Sequence, residues 1–199
     1  MQNNFKNFRS RLYSKLKISS SITYIDNKKF YLRSNGASIN DELFKNKTYS
    51  FHIASKFNEE VKNDANGSLF INIGANIGTS VRNLNMYFSN IVAIEPEYEN
   101  YKYLRKNTVN TDIKLMHTAI GNYIGFTHLN INPISNGKNS IDRSDYNSKV
   151  ETIPIITLDA LNLNPKFLLI DVEGHEIEVL KGAEKSLYNI EMLCVEIDL

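Results

Sequence analysis

The stretch "FINIGANIGTSV", residues 70–81, decides how this chain reads. An apolar run ends in two glycines, Gly74 and Gly78, separated by Ala75, Asn76 and Ile77, and a helix-compatible segment follows. A strand that breaks at glycines and restarts as a helix is a common way to hold a nucleotide. The dinucleotide fingerprint G-x-G-x-x-G needs its second glycine so that the backbone can approach a pyrophosphate. Counted from Gly74, the second and third glycines would fall where the sequence has Asn76 and Thr79. Yet Glu95 ends the next apolar run, about 20 residues on, where a ribose-binding carboxylate belongs. The ribose acceptor is present and the diphosphate cradle is not. A ligand with adenosine but no phosphates meets both conditions, and S-adenosylmethionine is the common one. The competing explanation is a tight strand–helix turn with Glu95 as a solvated strand end.

Working outward, the pattern is regular. Leu69–Ile73 is a short buried strand followed by a helix over 79–88, then a strand at 91–94 and a helix over about 97–107. A third strand covers 113–117. Strands alternating with helices of this length predict a mostly parallel α/β sheet with helices on both faces. Residues 121–156 break the alternation with two β-like pieces, "GFTHLNI" and "VETIPIITL", joined by the polar loop "NPISNGKNSIDRSDYNSK". A loop of that length inside a compact domain is functional or disordered. Alternation resumes with "KFLLIDVEG", a helix over about 175–187 and a last strand at 192–197. Upstream, "ITYIDNKKFYLR" carries a hairpin signal, residues 41–61 have loosely helical periodicity, and "KNDANGS" is a turn. No repeat or linker marks a second domain.

The 199 residues, 42% hydrophobic and 23% charged, describe a globular chain with length enough for a core. A net charge of +1 gives no general bias toward nucleic acid. The single cysteine, Cys194, sits in an apolar run and reads as core rather than nucleophile; it excludes an internal disulfide and suits the reducing cytosol. No apolar stretch is long enough for a spanning helix. The basic opening "MQNNFKNFRSRLYSKLKI" spaces Phe5, Phe8, Leu12 and Leu16 as an amphipathic helix that docks on the domain or, alternatively, touches an anionic membrane surface. The many Asn, Lys and Ile residues carry no functional conclusion.

The chain resembles the FkbM family of S-adenosylmethionine-dependent methyltransferases in "FINIGANIG", "VAIEPEYENYKYLRKNTVN", "HTAIGN", "ITLDAL", "LLIDVEGHEIEVLKGAEKSL" and "LCVEID", which run from about residue 69 to the end. The resemblance implies a Rossmann-like class I methyltransferase sheet over 66–199 and an N-terminal helical and hairpin extension over 1–65 packed on it. It implies a cofactor site drawn from Asn72, Gly74, Ala75, Asn76, Gly78, Thr79 and Glu95, with Thr118 and Ala119 on the adenine side. Asn110 falls where the family often has Asn and also reads as a turn residue. One departure stands out. Where the family usually has Asp at the end of the first strand, this chain has Asn72, which can accept a hydrogen bond but carries no charge for the methionine ammonium.

The resemblance further implies methyl transfer to an oxygen, often of a sugar, glycan or natural product. An alcohol is a weak nucleophile and benefits from a general base. Ligands of open α/β sheets gather beyond the carboxyl ends of the strands, and "DVEGHEIE" leaves the strand at 167–170 there. His175 is the candidate base, Glu173 the alternative base or orienting group, and Asp171 faces the cofactor's methionine end or supports the turn. For Glu176, and in part Glu173, helix capping is the competing role. Mg²⁺ is conceivable among these oxygens, but the spacing requires no metal. Loop 136–142 is the candidate acceptor side; Lys138, Asn139, Ser140 and Arg143 suit a hydroxylated or anionic acceptor. His117 reads as a packed histidine. A sheet of this type has seven strands, so the stop at Leu199 predicts a fragment, or a fifth-strand edge covered by another element or chain. A non-catalytic nucleoside- or partner-binding module and a nicotinamide-dependent oxidoreductase are the alternative functions.

Overall fold

The computed structural model describes residues 20–25, 28–33, 39–40, 43, 51–61, 67–133, 135–143 and 149–196. Among the described residues, the first element is an antiparallel hairpin, β1 (Ser20–Ile25) and β2 (Lys28–Arg33), with Ile22 opposite Tyr31. Helix α1 (Phe51–Val61) follows, then β3 (Leu69–Ile73), α2 (Thr79–Leu84), β4 (Asn90–Ile94), α3 (Tyr98–Asn107) and β5 (Lys114–Met116). After β6 (Ala119–Ile120), β7 (Gly125–Ile131) and β8 (Lys149–Ile156), the chain returns through β9 (Phe167–Ile170), helices α4 (Glu176–Lys181) and α5 (Glu184–Leu187), and β10 (Met192–Val195).

Five strands form a parallel sheet in the order β10-β9-β3-β4-β5. The expected α/β class is therefore what the chain adopts: β3, β4 and β9 are almost wholly buried, as strands covered on both faces must be. On one face Phe57, Phe70, Phe88 and Phe167 meet with ring centroids 4.8–6.5 Å apart. Burying each such ring contributes roughly 1.5–3 kcal/mol. On the other face Ile71, Ile73, Ile94, Leu168, Ile170 and Val179 close a second cluster. The two β-like pieces expected in 121–156 are β7 and β8; with β6 they make a separate three-stranded sheet, β6-β8-β7.

Two elements differ from expectation. The helix expected over 79–88 ends at Leu84. The helix expected over 175–187 is split at Gly182, because the Gly121 carbonyl lies 1.8 Å from where a Cβ on Gly182 would stand, and this contact holds the chain between α4 and α5. Of the helical periodicity over 41–61, Phe51–Val61 is an α-helix. The amphipathic helix expected in the basic opening lies outside the described residues. Among those described, no helix is long and apolar enough to cross a membrane.

Candidate active site

The order of strands reverses between β3 and β9, the position at which open α/β sheets hold ligands. A cleft opens there. Its floor is the loop after β3. The N–H groups of Gly74 and Ala75 both donate to the Ile94 carbonyl at 2.9 Å, which lashes the loop to β4. Gly74 has φ 85°, and a Cβ on it would stand 1.7 Å from the Asp171 carbonyl oxygen. The loops leaving β3 and β9 touch because this residue has no side chain. Asn76 adopts a left-handed φ of 50°, which asparagine tolerates, and its Oδ1 accepts from the Ile77 N–H at 2.7 Å.

Glu95, at the end of β4, is buried and gripped by backbone. Its Oε2 accepts from the Asn76 N–H at 2.8 Å and its Oε1 from the Glu97 N–H at 2.9 Å. Burial pushes its carboxyl up to about 7, against the pull of these donors. Glu97 in turn caps α3 by accepting from the Glu99 and Asn100 N–H groups at 3.1 and 2.6 Å, and it pairs with Arg33 of the hairpin.

The loop between β7 and β8 closes one side. Asn136, buried, donates from Nδ2 to Asn76 Oδ1 at 3.1 Å and Asn100 Oδ1 at 3.2 Å. Its carbonyl accepts from the Nδ2 groups of the same two residues, at 3.2 and 3.0 Å. Its own Oδ1 is buried without a partner. Further along, Ser140 Oγ donates to the Glu173 carbonyl at 2.7 Å, and Asp142 Oδ2 lies 2.5 Å from His175 Nδ1. An ionised carboxylate only accepts, so Nδ1 carries a proton, and in the neutral ring the lone pair is on Nε2. Nε2 is buried without a partner.

The opposite wall is the turn after β9. Glu173 and Gly174 are left-handed, with φ 55° and 106°. Glu176 Oε1 accepts from the Val172 and Gly174 N–H groups at 3.3 and 3.0 Å, so its side chain caps this turn. Asp171 is pushed up to about 8, by burial first and then by Glu196 and Glu173.

Of the residues singled out in the sequence, Gly74, Asn76, Thr79, Glu95, Thr118, Ala119, Asp171, Glu173 and His175 come together around the cleft. Asn72, Ala75 and Gly78 are not in its lining. Asn72, fully buried, donates from Nδ2 to Ser80 Oγ at 2.9 Å and leaves Oδ1 without a partner. Within loop 136–142, Asn136 and Asn139 reach the cleft, whereas Lys138 and the following Arg143 do not line it; the Arg143 guanidinium packs over Gly174. His117 stacks on Tyr101 with ring centroids 4.8 Å apart and lies 3.0 Å from the Pro96 carbonyl, a packed histidine. Asn110 is a left-handed turn residue, φ 65°, away from the cleft. Sequence reasoning missed Ser80, Asn100 and Glu196 in the lining, and Asp142 as the partner of His175. Glu196 was findable as a carboxylate at a strand end; the amides carry no such signal. Among the described residues no group of three or more His, Cys, Asp or Glu could hold a metal.

The methyltransferase FkbM domain profile matches residues 72–199. The crystal structure of methyltransferase FkbM from Methylobacillus flagellatus KT is similar at 20% identity, covering 65% of this chain and 33% of that one, with a TM-score of 0.47. The chain thus spans about a third of the length of that solved protein. No curated protein matches the sequence. Because the domain match spans well over half of the chain, this protein belongs to the FkbM methyltransferase family.

Proposed function

We propose that the cleft binds S-adenosylmethionine and that the chain methylates a hydroxyl of a sugar, glycan or natural product. One observation carries the cofactor: the cleft joins a glycine floor and a buried Glu95 to further carboxylates at Asp171, Glu173 and Glu196, while no Lys or Arg among the described residues lines it. Such a lining accepts a cationic adenosine ligand and repels the phosphates of a dinucleotide. The orphaned Oδ1 of Asn136 fits a polar ligand lying against the floor. Glu95 would receive the ribose, and Thr118 and Ala119 would flank the adenine.

When bound, the sulfonium supplies an electrophilic methyl group. The chain then has to position a hydroxyl and remove its proton. His175 takes that proton at Nε2, with Asp142 holding the imidazole in the tautomer that can receive it. Glu173 accepts a hydrogen bond from the acceptor's hydroxyls, and Asp171 faces the cofactor's methionine end. Because Lys138 and Arg143 stay outside the lining, a neutral hydroxylated acceptor suits the cleft better than an anionic one.

Isothermal titration of the folded chain tests the cofactor. Heat with S-adenosylmethionine and S-adenosylhomocysteine, and weaker binding of NAD, is the expected result; no heat with either methyl-donor ligand defeats the proposal. His175→Gln is expected to lower transfer of a labelled methyl group by roughly 10²–10⁴-fold with cofactor affinity unchanged. An unchanged turnover removes His175 from the mechanism.

A further inference from the structure

The hairpin has one buried face and one exposed face. Strand alternation turns Thr23, Phe30 and Leu32 inward, where they are buried. The register sets Ile22 opposite Tyr31 and Tyr24 opposite Lys29, so these four side chains share the outward face. Helix α3 continues that surface. Tyr98, Lys102, Arg105 and Val109 follow one another at intervals of three and four residues along its solvent side, while Leu104 and Asn107 on the other side are buried. The two elements meet at Lys106, whose ammonium lies 5.9 Å from the centre of the Tyr31 ring and 4.9 Å from that of Tyr103. Tyr31, Lys102, Arg105, Lys106 and Val109 line one shallow groove, and no Asp or Glu among the described residues lines it with them. Lys102 pairs with Glu99 at 2.9 Å, but Arg105 and Lys106 are exposed, and among the described residues neither has a carboxylate partner.

The whole chain carries a net charge of only +1, so this face is a local concentration of positive charge. Cations alone name no partner. The side chains set among them do. Ile22 and Val109 are aliphatic and 48% and 64% exposed, and Tyr24 and Tyr98 stand out from the surface by 55% and 54%. A nucleic-acid groove uses cations and flat rings but gains nothing from exposed aliphatic groups. A bilayer interface takes all three: tyrosine and aliphatic groups enter the headgroup layer while Lys and Arg reach lipid phosphates. The sequence adds a second observation. Residues 1–19, which run directly into β1, hold five Lys or Arg and no Asp or Glu, with Phe5, Phe8, Leu12 and Leu16 between them.

We propose that the outward face of the hairpin and the adjoining side of α3 dock on a bilayer rich in anionic phospholipid. Lys29, Arg105 and Lys106 supply the attraction, and Ile22, Tyr24 and Val109 settle into the headgroup layer. Docking of this kind requires nothing of the methyl-donor reading, so either can fail alone.

Cosedimentation of the full chain with lipid vesicles is the test. Vesicles of phosphatidylcholine and phosphatidylserine in equal parts are expected to bind it, less so as salt is raised, and vesicles of phosphatidylcholine alone are not. Lys29→Gln/Arg105→Gln/Lys106→Gln should weaken binding on the order of 100-fold, from roughly fivefold for each charge. The control Lys166→Gln/Lys181→Gln/Lys185→Gln removes the same charge from the far side of the sheet order, before β9 and on α4 and α5, and should bind as the wild type does. Circular dichroism checks the fold of both. The chain has no tryptophan, so Tyr24→Trp reports on the face itself, and its emission should move to the blue on the anionic vesicles only. Absence of binding to the anionic vesicles, an unchanged affinity in the first triple variant, or equal losses in the two triples overturns the inference. So does an unshifted emission from the bound Tyr24→Trp chain, which would place the contact elsewhere. Binding of single-stranded RNA without binding of the anionic vesicles overturns it too, in favour of a nucleic-acid surface.

Discussion

Gly74 does two things that no other residue type can do at once. It takes φ 85°, and it lets the Asp171 carbonyl approach to where a Cβ would be. Gly74→Ala should therefore destabilise the chain by roughly 3 kcal/mol or more in denaturant unfolding, since strain and a backbone collision add. Gly67 is the control: its φ is 93° but nothing lies within 4 Å of a Cβ there, so Gly67→Ala should cost only about 1 kcal/mol. Equal losses for the two would show that the contact between the loops contributes nothing. That a glycine turn stood at 74 was legible from the end of an apolar run. That it abuts Asp171 was not, because the contact joins two strands far apart in sequence. Asparagine was harder still. Its abundance reads as bland composition, and turns are its ordinary place, yet Asn76, Asn100 and Asn136 meet as one set of reciprocal amide bonds. Local patterning records propensity and burial; it does not record which polar residues find one another across a fold.

The elements that the site needs are tied by a few such side chains. Asn107, at the end of α3, acts as a piece of strand: its Oδ1 accepts from the Tyr31 N–H at 2.6 Å and its Nδ2 donates to the Tyr31 and Ile77 carbonyls at 2.9 and 2.7 Å. One amide thus joins the hairpin, α3 and the glycine loop. Asn107→Leu keeps the bulk, removes three hydrogen bonds and leaves buried backbone groups unpaired, at a cost of about 3 kcal/mol. Native-state hydrogen exchange should show the Tyr31 amide losing protection while the Phe70 amide in β3 keeps most of its own. Uniform loss at both would mean that the hairpin and sheet open as a single unit. Strands and helices of the main sheet were legible because burial on both faces leaves unbroken apolar runs. The parallel join of β6 to β8 was not, being only two residues long. The break at Gly182 escaped for the same reason as Gly74, since its cause is the distant Gly121 backbone. Ile39 and Ile53 line the cleft and Phe57 belongs to the phenylalanine cluster, so the site also draws on chain before the family match at residue 72.

For the molecule as a whole, the buried carboxyl groups set a pH response. Asp171 and Glu95 are held at about 8 and about 7, above their ordinary values, so the folded state binds protons that the unfolded chain has released. Their contribution is fully present in acid, near the unfolded carboxylate range, and is lost as pH rises through 7 and 8. Asp159 works in the opposite sense. The Lys185 and Ser186 N–H groups and the Ser186 hydroxyl hold it below its ordinary value, and that contribution disappears only in strong acid. Thermal melts of the ligand-free chain at fixed ionic strength should show the midpoint falling from about pH 5 to 8, and Asp171→Asn should flatten the upper part of that fall. An unchanged slope in the variant would place the titration elsewhere. The clasp that seats the loop between β7 and β8 stands apart from all this. It is made of amides, which neither gain nor lose protons and are little affected by salt. Across the range where the wall's carboxylates titrate, the hold of Asn136 on Asn76 and Asn100 therefore keeps the same donors and acceptors.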